Sequence, residues 1–258
     1  MSALEKALTE ADTLKARLDA HRPLSARALL AIEKEFEVET TEFIQASNAI
    51  EGNSLTLRET ELVLSKGATI SGKPLKDHIE AINQKKAFEK MVEAAKARHP
   101  LDADLIFLLN KVCLTNLDEE YGGRYRNIPV RIAGAAHVPP NYVKVPDLMV
   151  ELFAKTAATW ETAHPILLAA DFHHGLAHIH PFIDGNGRTA RLAMNLLLLE
   201  KGYPLVSIKG EKEDRLRYYE SLQDVDTGQN PDAFRLLLVG LAVETLSKRL
   251  ALLDEIKP

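Results

Sequence analysis

Leu4, Ala7, Ala11, Leu14 and Leu18 recur at helical spacing with charged residues between them, which predicts an amphipathic helix ended by Pro23. A second helix is expected over about residues 25–50, where Phe43, Ala46 and Ile50 share a face and Gly52 is placed to stop it. Thr56 and Glu59 have the spacing of a capping box, and Leu75, Ile79, Ile82, Val92 and Ala95 mark a long helix that stops near Pro100. Another apolar helix follows over about residues 102–114. Residues 125–145 change character: Val130 and Ile132 alternate, Gly134 follows, and Pro139 and Pro140 interrupt, which predicts the one hairpin of the chain. Residues 165–177 and 189–199 read as two buried helices, 203–210 as a link, and 214–224 and 232–253 as the closing helices. The fold class expected is all-α with one β-hairpin, without internal repeats, low-complexity tracts or flexible linkers.

Composition narrows this only modestly. With 258 residues, 46% hydrophobic and 27% charged, the chain can bury a full core, and a net charge of -5 gives no global attraction to nucleic acid or to an anionic membrane. Residues 196–199 form the longest greasy stretch, far short of the roughly 20 residues a membrane helix needs. Cys113 is the single cysteine, so no internal disulfide forms; with an amino terminus unlike a secretory signal, a cytoplasmic location is expected.

The chemistry concentrates in His178-Ile-His-Pro-Phe-Ile-Asp-Gly-Asn-Gly-Arg188, between the two buried helices. Gly185, Asn186 and Gly187 would aim backbone N–H groups at an anion, helped by the partial positive charge of a helix start. Arg188 and Arg191, three residues apart, can both face that anion and suit paired phosphate oxygens. Asp184 would face phosphate unfavourably unless Mg²⁺ lay between them, which makes it the expected metal ligand. His180, held by Pro181, can take the proton of an attacking hydroxyl.

Other readings compete. Residues 185–190 formally match a dinucleotide fingerprint, but a helix precedes them and no βαβ unit is in sight. His173, His174, His178 and His180 could hold zinc, His174 and His178 having i, i+4 spacing, though a third soft ligand is not obvious. The glycines could also simply turn the chain while the arginines pair with surface acids.

His180-Pro-Phe-Ile-Asp-Gly-Asn-Gly-Arg-Thr-Ala-Arg191 resembles, without a break, the HPFx[DE]GNGRxxR signature of the Fic (filamentation induced by cAMP, or Fido) family. Tyr125-Arg126, Val130, Ile132 and residues 137–140 resemble that family's flap hairpin, and Arg217-Tyr-Tyr219 extends the likeness beyond the signature. The resemblance implies a helical Fic core at 101–240, an N-terminal helical segment at 1–100 and a helix end at 241–258. It implies transfer of AMP from ATP to a Tyr, Thr or Ser hydroxyl of a target protein, with His180 as base and Asp184 on Mg²⁺. Residues 185–191, Thr189 included, would cradle the phosphates. Ala136, His137, Val138 and Pro139 would dock the target segment by strand addition. Tyr218 and Tyr219 would flank the base, and Asp226 stands where many relatives place Asn. Gly187 favours nucleotidyl transfer, since related Doc toxins carry Lys there and phosphorylate.

Ser47-Asn-Ala-Ile-Glu51-Gly52 resembles the family's inhibitory [ST]xxxE[GN] motif, placed ahead of the core as in members whose brake is part of the same chain. A carboxylate at a helix C-terminus is disfavoured by the dipole, and a cationic partner would offset that cost. By resemblance the partner is Arg191, with Ser47 one turn earlier steadying the helix. The expected partners are ATP and a target protein, the chain itself among the candidates, with homodimerisation left open and neither nucleic acid nor membrane. Removal of AMP by water, transfer of UMP or phosphocholine, and a non-catalytic ATP-sensing module are the alternative functions.

Overall fold

A computed structural model describes residues 1–132 and 135–256. The chain opens with α1 (Ala3–Asp19), where the Ser2 hydroxyl and the Glu5 carboxylate cap each other's backbone N–H reciprocally. Ser25 caps α2 (Ala26–Ile50), which ends with Glu51 as its C-cap residue and Gly52 at φ 97°. The capping box at Thr56 and Glu59 starts α3 (Leu57–Lys66), as its spacing indicates. The long helix α4 (Leu75–Ala97) and then α5 (Ala103–Cys113), capped by Asp102, complete the first half.

A helix the sequence pattern did not reveal follows: α6 (Val145–Thr159), with Pro at its first turn. Its first residue, Val145, falls at the end of the stretch expected to form the hairpin; Pro146 in the first turn helps initiate the helix, where its missing N–H costs nothing. Next come α7 (Pro165–Ile179), α8 (Asn186–Glu200), α9 (Lys212–Thr227) and α10 (Ala233–Ile256). The last runs unbroken past residue 240, where the core was expected to end.

The all-α class holds, while the hairpin takes another form. Among the described residues none is in a strand, and residues 125–132 and 135–141 run as open, largely irregular chain. Pro129, Pro139 and Pro140 cannot donate to a ladder. The Arg126 guanidinium instead takes carbonyls from both arms, Ile128 at 3.2 Å and Pro140 at 2.6 Å. Gly134, expected at the turn, lies outside the described residues.

The core forms around α7 and α8, whose Phe172, Leu176, Ala193, Met194 and Leu197 are fully buried together with Leu238 and Leu246 of α10. A second cluster joins Phe43 and Ile44 of α2, Phe88 and Met91 of α4, and Leu109 of α5 to Leu192 and Leu196 of α8. Thus α8 is surrounded, with Gly187 in its first turn and Leu199 and Glu200 in its last only partly buried. Among the described residues no helix is long and apolar enough to cross a membrane.

Candidate functional site at the start of α8

The loop between α7 and α8 begins with His180 in a left-handed conformation, φ 51° and ψ 60°, capping α7 through its N–H to Leu176. A non-glycine residue there costs roughly 1–2 kcal/mol, so the surroundings must hold it. Arg126 does so: its Nε donates to the His180 carbonyl at 2.8 Å, and its backbone N–H to the Pro181 carbonyl at 2.8 Å. Asn186 closes the loop from the other end, accepting the Phe182 N–H at 2.9 Å and donating to the Phe182 carbonyl at 3.0 Å. Asn110 of α5 donates to the Asp184 carbonyl at 3.0 Å, and Phe182 anchors the loop in the core beside Phe107 and Tyr125.

The helix begins three residues earlier than its apolar pattern suggests, at Asn186, with Gly185 as a left-handed N-cap at φ 79°. A Cβ at Gly185 would lie 2.8 Å from Asn110 Nδ2, so packing as well as φ demands glycine. The Gly185 carbonyl accepts the Thr189 N–H at 2.9 Å, which leaves the amides of Asn186, Gly187 and Arg188 as the helix-start donors without intrahelical partners. Thr189 is fully buried, with its hydroxyl near Asn110 Nδ2 at 3.4 Å, and the Asn186 side chain is spent on Phe182. The side chains of these two serve the loop's shape, and the Asn186 amide N–H remains among the helix-start donors.

Asp184 and Arg188 lie at the mouth. The Asp184 side chain is 46% exposed and contacts the Gly185 N–H at 2.6 Å and Arg188 Nη2 at 3.2 Å. The Arg188 side chain is buried; Glu80 lies 3.5 Å from Nη1, and Nε has no partner among the described residues. Although burial works against its charge, the carboxylate of Asp184 and then other anionic groups hold the Arg188 pKa above its ordinary value. A carboxylate with lone pairs to spare, next to phosphate donors, fits Mg²⁺, which keeps waters and takes one or two carboxylates plus phosphate oxygens.

His180 lies beside this mouth with Nδ1 3.3 Å from the Ala177 carbonyl. Burial lowers its pKa to about 4; the Ala177 carbonyl opposes that shift and the Arg126 charge adds to it. The imidazole is therefore neutral at physiological pH.

Arg191 is engaged on every side. Its Nε donates to Ser47 Oγ at 2.9 Å, Nη2 to the Ser47 carbonyl at 2.9 Å and to Glu51 Oε1 at 2.7 Å, and Nη1 approaches Tyr218 OH at 3.5 Å. Gln84 of α4 also donates to Ser47 Oγ at 3.3 Å, and Tyr219 OH donates to the Ile50 carbonyl at 3.2 Å. Tyr218 is buried behind Arg191, bonded to His173 Nε2 at 3.1 Å, and burial pushes its hydroxyl up to about 12. Gly187 adjoins the carboxylate so closely that a Cβ there would collide with Glu51 Oε1.

The remaining residues form a separate group. Asp226 Oδ1 is 3.0 Å from His174 Nε2 and 2.6 Å from His178 Nδ1. His137 stacks on His178 with ring centroids 4.1 Å apart. The four histidines weighed as a zinc cluster thus part company, His173 turning to Tyr218 and His180 to Ala177. In the flap segment Ala136 and Val138 are exposed, whereas Pro139 is buried and has no free face for a partner. Asn110, Gln84 and Glu80 carry no motif and have no signal in the sequence, and Arg126, met there only as part of the flap resemblance, proves to hold the loop of His180.

Residues 100–198 match the Fic/DOC family model. The protein adenylyltransferase Fic of Drosophila willistoni is 34% identical over 226 residues, covering 87% of this chain and 44% of that protein. That of Drosophila melanogaster is 34% identical over 187 residues, 72% of this chain and 37% of that protein. The chain therefore spans less than half the length of these curated relatives. Among solved structures, a Fic domain containing signaling protein from Bacteroides thetaiotaomicron superposes with a TM-score of 0.82 at 27% identity, over 99% of this chain and 98% of that one. Fic-1 from C. elegans superposes with a TM-score of 0.83 at 27% identity, over 98% of this chain and 74% of that one.

Proposed function

We propose, from the premise that residues 100–198 match the Fic/DOC family model, that the chain transfers AMP from ATP to a Tyr, Thr or Ser hydroxyl of a protein. The observation that carries this reading is the convergence of a neutral His180, Asp184, Arg188 and the open amides of Asn186 to Arg188 on one helix start. In the reaction the target hydroxyl oxygen forms a bond to the α-phosphorus, the bond to the β-phosphate breaks, and pyrophosphate leaves. His180 accepts the hydroxyl proton. Anionic phosphates beside the ring would raise its basicity from the low value of the free protein, bringing it closer to the task. Asp184 would hold Mg²⁺, which when bound supplies charge neutralisation on the phosphates. The amides at the start of α8 and the buried Arg188 guanidinium orient the triphosphate, so catalysis is largely positioning and electrostatics. The exposed backbone about Ala136 and Val138 would pair with the target segment.

Glu51 holds this activity down. The ion pair with Arg191 removes from the mouth the second guanidinium expected to meet phosphate, and its carboxylate occupies the space above Gly187. The same placement favours a second reaction. The Glu51 carboxylate acts on the charge of His180, and a water held between the two would be activated to remove AMP from a modified target.

The test is intact-mass measurement and labelling with ATP carrying the label at the α- or the γ-phosphate, using the Glu51→Gly protein. Retained α-label supports AMP transfer; retained γ-label alone would replace it with a kinase. His180→Ala should abolish labelling while nucleotide binding persists, and equal labelling by that variant would remove His180 from the chemistry.

A further inference from the structure

We propose that His137, His178 and Asp226 form a binding site for a borderline divalent transition-metal ion such as Zn²⁺, joining the segment before Pro139 to α7 and α9. One ring nitrogen from each histidine and one Asp226 oxygen lie within 4.8 Å of one another, each residue being partly exposed. The three arrive from three separate elements, so their meeting is a tertiary arrangement and not an accident of neighbouring positions on one helix.

The hydrogen bonds around them prepare the ligand atoms. His137 Nε2 lies 2.8 Å from the His178 carbonyl, which can only accept. Nε2 therefore carries the hydrogen, and in the neutral ring Nδ1 keeps its lone pair. Asp226 Oδ1 takes both His178 Nδ1 at 2.6 Å and His174 Nε2 at 3.0 Å, so the carboxylate orients the His178 ring and is itself held from one turn back by His174. A bound ion would take the place of the proton between His178 Nδ1 and Asp226 Oδ1, that proton moving to Nε2 or to water, with both atoms as ligands and His174 still holding the carboxylate as an outer partner.

Tetrahedral zinc, with bonds of about 2.0–2.1 Å, places neighbouring ligand atoms about 3.4 Å apart. The farther pairs need to close by no more than about 1.4 Å, and the His178 Nδ1–Asp226 Oδ1 pair, now at 2.6 Å, to open by about 0.8 Å. His137 lies on non-helical chain and the His178 side chain is 41% exposed, so ring rotation can supply that movement. Two imidazoles discriminate against Mg²⁺, which demands oxygen, in favour of Zn²⁺ and its neighbours. A bound ion would fix the Ala136 to Val138 segment onto the helices beside the catalytic loop, and the site shares no residue with the one at Asp184.

The test is Zn²⁺ binding to the full chain, by competition with a chromogenic chelator in excess Mg²⁺, with Co²⁺ absorption as a second readout. One ion per chain is expected, with a tetrahedral Co²⁺ band. His137→Ala and His178→Ala should each weaken binding by more than about 100-fold, and His174→Ala by about 10- to 100-fold. Asp184→Ala and His99→Ala should leave the affinity unchanged. Absence of stoichiometric binding, or binding indifferent to both His137→Ala and His178→Ala in proteins of unaltered circular dichroism, overturns the proposal. Because His137 lies outside the helices, its variant keeps the test intact should His178→Ala misfold.

Discussion

Glu51 Oε1 lies 2.7 Å from Arg191 Nη2 and covers Gly187, although the two charged residues are 140 positions apart. The guanidinium is buried and the carboxylate side chain is 34% exposed, so this is a half-shielded pair. Removing the carboxylate exposes the mouth of α8. Glu51→Gly should raise AMP incorporation by at least about tenfold, the equivalent of roughly 1.4 kcal/mol. Glu51→Gln, which keeps the bulk, should give less. Initial rates with α-labelled ATP check both, and equal rates for wild type and Glu51→Gly would remove the brake.

Gly187 and Glu51 should be energetically coupled. A Cβ at 187 meets both Glu51 Oε1 and, at 3.0 Å, Arg191 Nη1, so Gly187→Ala is expected to destabilise the wild-type chain. In the Glu51→Gly background that loss should shrink, giving a coupling within roughly 0.5–3 kcal/mol in a double-mutant cycle followed by thermal denaturation. Strict additivity would mean that the carboxylate does not occupy this space in solution.

His180 makes stability fall with acid. Burial first, partly opposed by the Ala177 carbonyl and reinforced by Arg126, holds its folded pKa at about 4, against 6.5 when free. The folded state thus binds fewer protons than the unfolded one between those values. The contribution is complete above about pH 6.5 and is lost as pH falls through about 4, an effect on the order of 3 kcal/mol. Buried His173 is shifted in the same direction, mainly by burial. His180→Asn should flatten the pH dependence of urea unfolding between pH 6.5 and 4; an unchanged slope would show that the ring titrates normally.

Arg126 should prove a positioning residue for the reaction. Its guanidinium donates to the carbonyls of His180, Ile128 and Pro140, a fan that an ammonium cannot reproduce. Arg126→Lys is expected to lower kcat by about tenfold or more with little change in KM for ATP, because the loop carrying His180 loosens while the amide mouth remains. Arg126→Ala should also cost about 2–4 kcal/mol of stability, having left buried carbonyls without partners. A change in KM alone would place Arg126 in nucleotide binding.

Much of this was readable in the chain. Capping residues such as Ser25, Thr56 and Asp102 and the breaker Gly52 act locally, and the helices they bound form as the pattern indicates. The unbroken run from His180 to Arg191 likewise announced the loop, since its parts are contiguous. What escaped was non-local. Arg126 reaches a carbonyl 54 positions away and Asn110 one 74 away, pairings that no spacing records. The helix start at Asn186 was hidden for a related reason, its first turn being polar because it serves the mouth and not the core. The helix α6 was hidden because its Val150 faces solvent at 66% exposure and blurs the helical period.

The hold on Arg191 has an asymmetry. Glu51's carboxylate is one contact among four; Ser47, through hydroxyl and carbonyl, and Tyr218 supply the rest. When that carboxylate swings out, the guanidinium keeps its rotamer, so it need not give up the roughly 2 kcal/mol of side-chain freedom that fastening a loose arginine would require. On the proposed reading the cation stays cocked in a fixed cradle, and what would switch is only the identity of the anion allowed to rest against it.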